Sequence, residues 1–193
     1  IGKQITERAG LVPIAWFERG PRHLTSNRPI RSPADLNGLK IRDPNVPLFV
    51  KVWQELGARP TPMAFSEVFT SLQQNTIEAQ ENPLSLIESA SFFEVQDYVN
   101  LTAHVRSWIY VVIGKEKLES MPTDLQHVVR HAAREMQAYE HGLFVEDEQR
   151  LRQSLEEKGM TFVEVDVDAF AEPARRAVAT ALTAEQRVLF DAL

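Results

Sequence analysis

Three short segments of this chain combine residue types that suit the binding of a small organic acid. They are Ile41-Arg42-Asp43-Pro44, Pro60 to Glu67, and Gln80-Glu81-Asn82-Pro83. Each lies where strand-like composition gives way to helix-like composition, which is where open α/β sheets present side chains and helix N-termini to a ligand. A guanidinium, an aromatic ring and an amide from three such places form a set that suits a carboxylate. The pattern therefore predicts small-molecule capture rather than catalysis.

Arg42, Phe65 and Asn82 supply complementary chemistry for such a ligand. The planar guanidinium of an arginine matches a carboxylate through two parallel charge-assisted hydrogen bonds, and it stays charged in a closed, dry site. An asparagine offers both a donor and an acceptor, so it orients a carboxylate oxygen or a neighbouring hydroxyl. A phenylalanine excludes water and gives the carbon frame of the ligand a flat wall.

Each of these three residues also has a purely structural interpretation. An arginine after a strand is ordinarily a surface residue. Asn82 before Pro83 is typical of a turn and a helix start, because asparagine hydrogen-bonds its own backbone there. Phe65 is equally suited to packing in the core ahead of Ser66, which is predicted to cap the next helix. Position in the sequence leaves these alternatives open.

The composition excludes several classes of partner. The chain has 193 residues, 44% of them hydrophobic and 25% charged, which is enough to bury a core as one large or two small domains. A net charge of -6 without a long run of Lys or Arg argues against nucleic acid or an anionic membrane as the main partner. Because there is no cysteine, disulfides, thiolate zinc sites and cysteine nucleophiles are excluded. No stretch approaches the roughly 18 apolar residues of a membrane span.

Helix-like and strand-like segments alternate along the chain, which predicts an α/β fold. The strand-like run from Leu11 to Phe17 is followed by a predicted turn at Glu18-Arg19-Gly20-Pro21. From Pro122 to Lys158 a helical pattern persists with a single glycine, Gly142, and a continuous helix of this length would extend about 55 Å. That length exceeds the width of a small domain, so the helix is predicted to bridge two lobes.

Other residue sets point only weakly to metal binding or catalysis. His127, His131 and Glu135 follow one another at spacings of four, as metal ligands do in helical zinc sites, but the charged helix around them is typical of a solvated face. No serine stands in a Gly-x-Ser-x-Gly nucleophile elbow. The chain is therefore predicted not to be an enzyme and to need no metal or other cofactor.

A series of sequence blocks carries a family resemblance. The blocks are Arg22 to Thr25, Asp35 to Arg42, Leu56-Gly57-Ala58, Pro60 to Met63, Phe65 to Val68, Gln80 to Pro83 and Phe93 to Gln96. In this order and at these separations, the stretch from about Gly20 to Gly159 resembles the C-terminal two-thirds of the periplasmic solute-binding subunits of tripartite ATP-independent periplasmic (TRAP) transporters, the DctP type.

The resemblance implies roles for individual residues. In the family, the arginine of the Ile-Arg-x-Pro block forms a bidentate salt bridge with the ligand carboxylate, and it corresponds to Arg42. The asparagine of the Gln-Glu-Asn-Pro block corresponds to Asn82, and the aromatic residue of the pocket corresponds to Phe65. A second, more variable arginine corresponds to Arg22. These four residues are the expected ligand contacts.

Two further residues fall near family contact positions that vary with the ligand. They are Asn45 and Trp108. The Trp108 ring has two interpretations, lining of a cleft and filling of the core, and the core is favoured.

The resemblance also implies a two-lobed clamp of the periplasmic binding protein type, with the long helix running between the lobes. Residues 1–18 and 108–147 are assigned to a first lobe, and residues 19–107 and 148–193 to a second α/β lobe. The family's N-terminal portion is expected to be missing before Ile1, which leaves the first lobe incomplete. The apolar surfaces of the first lobe are then exposed to solvent, and the chain is expected to self-associate.

The function implied by the resemblance is capture of a small organic acid in the periplasm and its delivery to a TRAP membrane permease, with a signal peptide that is not present in this chain. Two alternatives remain open. One is a binding or sensor module of the same fold without transport, which needs no adjacent permease genes. The other is a metal-dependent or hydrolytic enzyme, which metal analysis of the purified protein distinguishes.

Overall fold

The computed structural model describes residues 2–190, apart from the side chains of residues 185 and 189, and helices and strands alternate along it. The strands are β1 Leu11–Ser26, β2 Lys40–Arg42, β3 Arg59–Pro60, β4 Ala79–Asn82, β5 Tyr98–Gly114 and β6 Thr161–Val163. The helices are α1 Gly2–Ala9, α2 Pro47–Glu55, α3 Val68–Gln73, α4 Leu84–Ser89, α5 Lys115–Glu119, α6 Thr123–Glu157, α7 Val167–Ala181 and α8 Ala184–Phe190. Short 3-10 helices cover Pro33–Leu36, Phe65–Glu67 and Phe92–Glu94. The predicted α/β class is confirmed.

The chain divides into two compact units. The first comprises Ile1–Gly20 and Arg106–Arg150, and the second comprises Pro21–Val105 and Leu151–Leu193. Residues of β1, β5 and α6 therefore fall in both units. The strand pairings described next all belong to the second unit.

The second unit is built on a sheet in the order β3-β2-β4-β1-β5-β6. Strand β2 is parallel to β3 and β4, β5 is parallel to β6, and β1 is antiparallel to β4. The register pairs Arg42 with Gln80, and His23 with Asn82. Because β2 and β4 are parallel, their carboxyl ends lie at the same end of the sheet, which is where open α/β sheets bind ligands.

Two buried apolar clusters hold the helices of the second unit on this sheet. The first joins Ile41 of β2 and Ala79 of β4 to Trp53 of α2 and Phe170 of α7. The second joins Val99 of β5 to residues of α3, α4 and the end of α6, which are Val68, Leu72, Leu84, Ile87, Leu151 and Leu155. Successive side chains of a strand point to opposite faces, so two sets of helices are needed to bury both faces.

The longest element, α6, has 35 residues and therefore extends about 52 Å. Its bounds lie close to the helix that the sequence predicts from Pro122 to Lys158. Its exposed surface carries the ion pair of His131 and Glu135, 3.6 Å apart. Across residues 2–190, no group of three or more His, Cys, Asp or Glu side chains is arranged to hold a metal ion. Within the same residues, no helix is both long and apolar enough to cross a bilayer.

The turn predicted at Glu18-Arg19-Gly20-Pro21 is wrong, because β1 continues through it as far as Ser26. Gly20 adopts a φ of +75°, and a Cβ at this position would lie 3.0 Å from Oε1 of Glu148 and 3.2 Å from the Phe144 ring. Glycine is thus required here for a positive φ within a strand that α6 approaches closely. A glycine followed by proline signals a turn only where strand pairing and packing do not impose another conformation.

Candidate ligand-binding site

The guanidinium of Arg42 is buried at the carboxyl end of β2. Arg42 is 5% exposed, and its Nε and Nη2 donate to the carbonyl oxygen of Met63 at 3.2 and 2.9 Å. The guanidinium carbon lies 5.8 Å from the centroid of the Phe65 ring. Burial lowers the pKa of Arg42, but an arginine remains charged at physiological pH. Among the side chains that the structure describes, no carboxylate hydrogen-bonds this guanidinium, so its remaining N–H groups are available to an external anion.

The second predicted arginine, Arg22, is instead paired with Glu81. Its Nε lies 2.5 Å from Oε2 of Glu81, and its Nη2 lies 2.7 Å from Oε1. Nη2 also donates to the Glu81 carbonyl oxygen at 2.8 Å and to Oδ1 of Asn82 at 2.9 Å. Burial by itself raises the pKa of the Glu81 carboxyl, but the hydrogen bonds from Arg22 and His104 outweigh it and hold that pKa below its ordinary value. The charge of Arg22 is therefore balanced within the protein.

His104 on β5 is a further hydrogen-bonding partner of Glu81. Its Nε2 lies 3.0 Å from Oε2 of Glu81, and its Nδ1 lies 2.7 Å from Oγ1 of Thr102. The ring also meets Trp53 edge-on, with 5.0 Å between ring centroids. The contacts at both ring nitrogens and the contact with the Trp53 ring fix the orientation of the imidazole. The sequence analysis missed His104, since a single histidine in a strand-like segment carries no signal of its own.

Asn82 is the last residue of β4 and is 2% exposed. Its Nδ2 donates to Oε1 of Gln80 at 2.6 Å, and its Oδ1 accepts from Arg22. Nε2 of Gln80 in turn donates to Oγ1 of Thr25 at 2.9 Å. The alternative role of Asn82 as a helix cap is wrong, because Pro83 occupies the N-cap of α4. The amide is held in a strand beside Arg22, as a residue that orients a ligand must be.

Phe65 presents a half-exposed ring next to Arg42. The residue is 43% exposed, and its ring meets Phe92 edge-on with 6.0 Å between centroids. The alternative that Phe65 fills the core is therefore wrong. The cap predicted at Ser66 is also wrong, because Ser66 lies inside the 3-10 helix and Ala64 is its N-cap. The backbone N–H of Ala64 donates to the Glu67 carboxylate at 3.2 Å, which holds this turn in place.

The two lesser candidates lie outside this constellation. Asn45 is exposed in the bend between β2 and α2. Trp108 belongs to the first unit and is 58% exposed, so the prediction that it fills the core is wrong. Its neighbours Ile109 and Tyr110 are 45% and 42% exposed. Three successive strand residues point to alternate faces, so both faces of this stretch of β5 are only partly covered by the described residues.

Asp43 is a site residue for which the sequence analysis predicted no role. It directly follows Arg42, its side chain is fully buried, and within residues 2–190 neither carboxylate oxygen has a hydrogen-bond partner. Burial and then repulsion from Glu81 raise the pKa of Asp43 to about 6, against the attraction of Arg42 and of its own backbone N–H, whose geometry falls short of a hydrogen bond. An aspartate after a strand is usually solvated, so only the tertiary structure reveals this burial.

A cavity of about 270 Å³ lies between α2 and α7. Its wall is mainly apolar, with contributions from Leu48, Phe49, Val52, Phe170, Ala174 and Val178. Its polar wall residues, Thr102 and His104, are hydrogen-bonded to each other, and His104 also contacts Glu81. None of the predicted ligand-binding residues lines this cavity, which is therefore separate from Arg42.

The sheet thus brings four of the six predicted residues to one end of the second unit. Arg22 contacts Asn82 directly, and Arg42 lies over the ring of Phe65. The Arg22 guanidinium is hydrogen-bonded to the Glu81 carboxylate, and the Arg42 guanidinium is hydrogen-bonded to no carboxylate among the described side chains. The set offers a cation and hydrogen-bonding groups without a nucleophile, so the chemistry it supports is anion binding rather than catalysis.

The chain matches one protein family over nearly its whole length. The model of the DctP family, bacterial extracellular solute-binding proteins of family 7, matches residues 2–185.

Curated relatives of known or assigned role agree with this match. A solute-binding protein of Roseobacter denitrificans is 57% identical over 193 residues, which cover 100% of this chain and 59% of that protein. The 2,3-diketo-L-gulonate-binding periplasmic protein of Escherichia coli is 39% identical over 172 residues, which cover 88% of this chain and 52% of that protein. The chain therefore spans somewhat more than half the length of these relatives.

Solved structures show the same fold. A TRAP periplasmic solute-binding protein from Roseobacter denitrificans with bound L-galactonate superposes with a TM-score of 0.86 at 56% identity, covering 99% of this chain and 64% of that one. Another from Sulfitobacter sp. NAS-14.1 with bound beta-D-galacturonate gives a TM-score of 0.84 at 29% identity, covering 93% of this chain and 61% of that one.

The predicted resemblance is confirmed, and these relatives are solute-binding proteins rather than enzymes, as the sequence predicts. The chain belongs to the DctP family of bacterial extracellular solute-binding proteins, family 7.

Proposed function

We propose that this chain captures a sugar-acid carboxylate in the periplasm and delivers it to a TRAP-type membrane permease. The observation that carries the proposal is the state of Arg42, a buried guanidinium at the end of a central strand whose charge is not matched by a hydrogen-bonded carboxylate among the described residues. A buried cation in this state is stabilised when an anion binds to it.

The ligands of the related proteins support the class of acid. L-galactonate, beta-D-galacturonate and 2,3-diketo-L-gulonate are named for three of these relatives. Each is a six-carbon sugar acid that carries one carboxylate and several oxygen substituents. Such a ligand needs one guanidinium that donates two hydrogen bonds to its carboxylate, and several further hydrogen-bonding groups. Arg42 and Asn82 offer groups of these two kinds in this chain.

Each proposed contact has a distinct role. Arg42 binds the ligand carboxylate through the edge of its guanidinium that does not donate to the carbonyl oxygen of Met63. Asn82 and Arg22 orient its oxygen atoms, Phe65 forms an apolar wall, and Asn45 makes a lesser contact. We assign the second unit to the α/β lobe that carries these groups, and the first unit to part of another lobe.

Ligand-induced thermal stabilisation and calorimetry test the binding step. Purified gene product that carries this sequence is titrated with L-galactonate, galacturonate and a neutral sugar of the same size as a comparison. We expect stabilisation by the acids only. Arg42→Ala should weaken binding by about 30-fold or more, since loss of one partner of a buried charge pair costs about 2–5 kcal/mol. Arg42→Lys should also bind weakly, because lysine lacks the planar fork.

Arg59→Ala is the matched control, since Arg59 is an exposed arginine on the neighbouring strand β3. It should bind like the wild type. Far-UV circular dichroism and a melting curve establish that the Arg42 variants are folded. Unchanged affinity in a folded Arg42→Ala variant ends the assignment of Arg42. Delivery is tested by uptake of labelled galactonate into proteoliposomes that contain the permease subunits, with and without this protein; equal uptake in both rejects the transport role.

A further inference from the structure

Asp43, which directly follows Arg42 in the chain, carries a fully buried carboxyl group that has no hydrogen-bond partner among the described side chains. Its side chain is 0% exposed, and across residues 2–190 neither oxygen has a hydrogen-bond partner. A buried carboxylate without donors is strongly disfavoured as an anion. We propose that Asp43 holds a proton in the ligand-bound protein, so that a monoanionic carboxylate binds at Arg42 together with that proton. This inference rests on the proposed function of the Arg42 site.

The charged groups at this end of the sheet come from four strands. β1 carries Arg22, β2 carries Arg42 and leads into Asp43, β4 carries Glu81, and β5 carries His104. Glu81 repels the Asp43 carboxylate, whereas Arg42 attracts it. Glu81 is itself paired with Arg22 and lies 3.0 Å from Nε2 of His104. Since Glu81 balances Arg22, Arg42 remains as the partner for one further anion.

Ionised Asp43 and the ligand compete for that single cation. With Asp43 ionised and His104 neutral, the charges of Arg22, Arg42, Glu81 and Asp43 sum to zero, and a bound carboxylate adds a negative charge that none of these groups offsets. With Asp43 neutral, the same four groups carry one positive charge, which one carboxylate balances. Uncompensated charge is costly in a buried site. The arrangement therefore favours a monocarboxylate over a dicarboxylate and a protonated Asp43 over an ionised one.

This coupling has a defined pH dependence. In the ligand-free protein, burial and repulsion from Glu81 raise the pKa of Asp43 to about 6. Above that pH the proton must be taken up from solvent on binding, so the dissociation constant should rise by up to about tenfold per pH unit. Below it, Asp43 is already protonated and the dissociation constant should level off. L-galactonate remains a monoanion throughout, because sugar carboxyl groups ionise at about pH 4 or below.

The test is calorimetric titration with L-galactonate from pH 5.5 to 8.5, using wild type, Asp43→Asn and Asp97→Asn. Asp43→Asn mimics the protonated carboxyl group, so its affinity should match that of the wild type at low pH and should not fall above pH 6. Asp97 is exposed at the start of β5, and its variant should keep the wild-type slope. Titrations of the wild type at pH 7.5 in buffers of different ionisation enthalpy should show uptake of nearly one proton per ligand.

The outcomes separate this inference from the proposed function. Binding of L-galactonate without pH dependence, without proton uptake, or with an unchanged slope in Asp43→Asn overturns the coupling and leaves carboxylate capture intact. If Asp43→Asn does not fold, the proton count of the wild type decides the question. If folded wild type binds no carboxylate at any pH, the proposed function fails, and the coupling fails with it.

Discussion

Arg22 of β1 and Glu81 of β4 form a two-point ion pair in which the Glu81 side chain is completely buried. The same carboxylate also contacts His104 at 3.0 Å, and Arg22 reaches on to Asn82 at 2.9 Å. This pair therefore positions groups of the candidate site that belong to three strands. Arg42, two strands away from β1, lacks a comparable carboxylate partner among the described side chains, so one guanidinium is held by an internal carboxylate and the other is free to pair with the carboxylate of a ligand.

Glu81→Gln should destabilise the protein by about 3 kcal/mol, because removal of one partner leaves a largely buried guanidinium uncompensated. Urea denaturation measures this loss as a lower midpoint. Glu55→Gln is the control, since Glu55 forms an exposed pair with Lys51 at 2.7 Å and its loss should leave the midpoint unchanged. Equal effects of the two variants would contradict a special role for the buried pair.

The contribution of the Glu81 carboxylate to the free energy of unfolding should depend on pH. The pKa of Glu81 is held below its ordinary value of 4.5, so the pair stabilises the fold fully above that pH and its contribution is lost as the pH falls through the folded-state pKa. The difference in free energy of unfolding between wild type and Glu81→Gln should therefore shrink below pH 4.5. Denaturation curves at pH 7, 5 and 3.5 measure it. A difference that stays constant across this range would rule out linkage to Glu81.

Truncation of two tryptophans should change the free energy of unfolding by very different amounts. Trp53 is 1% exposed in the apolar cluster that holds α2 and α7, so Trp53→Ala should cost about 3–5 kcal/mol through lost burial and a cavity. Trp108 is 58% exposed, so Trp108→Ala should change the free energy of unfolding by no more than about 0.5 kcal/mol. Guanidinium denaturation compares the two. A large loss in Trp108→Ala would show that its ring is buried in solution.

Asn100 should contribute strongly through its hydrogen bonds. It is fully buried, its Oδ1 accepts from the Ile30 N–H at 2.7 Å, and its Nδ2 donates to the Leu24 carbonyl at 3.1 Å. Asn100→Ala leaves both backbone groups without this partner and should cost about 2–4 kcal/mol. Hydrogen exchange at the Ile30 amide should also accelerate. Asn45→Ala is the control, because Asn45 is exposed and should have neither effect.

Local patterns predict much of this fold. The helix observed over Thr123–Glu157 matches the predicted one because its signals, a long helical pattern between Pro122 and Gly159, act within a few residues. The failures at Gly20 and Ser66 have a different origin. At Gly20, strand pairing and the approach of α6 override the turn signal, and at Ser66, a 3-10 helix that begins one residue earlier places the serine inside it.

The candidate site also has features that the sequence predicts and features that only the tertiary structure reveals. The sequence selects Arg42, Asn82 and Phe65 by residue type and by their places after strands, and the ligand roles of these residues stay predictions. Sequence alone does not indicate that Arg22 is held by a carboxylate or that Asp43 is buried without one. Both facts depend on which strands are neighbours and in what register they pair.

The amino-acid sequence by itself determined the α/β class and the family, because periodicity, turn residues and ordered blocks are local properties that persist in any fold of the chain. Only the tertiary structure decided which charges are balanced. Arg22 and Glu81 are 59 residues apart in the chain, and their contact exists only because β1 and β4 pair in one register. The electrostatics of a site depend on distance and burial, and both are set by packing rather than by sequence separation.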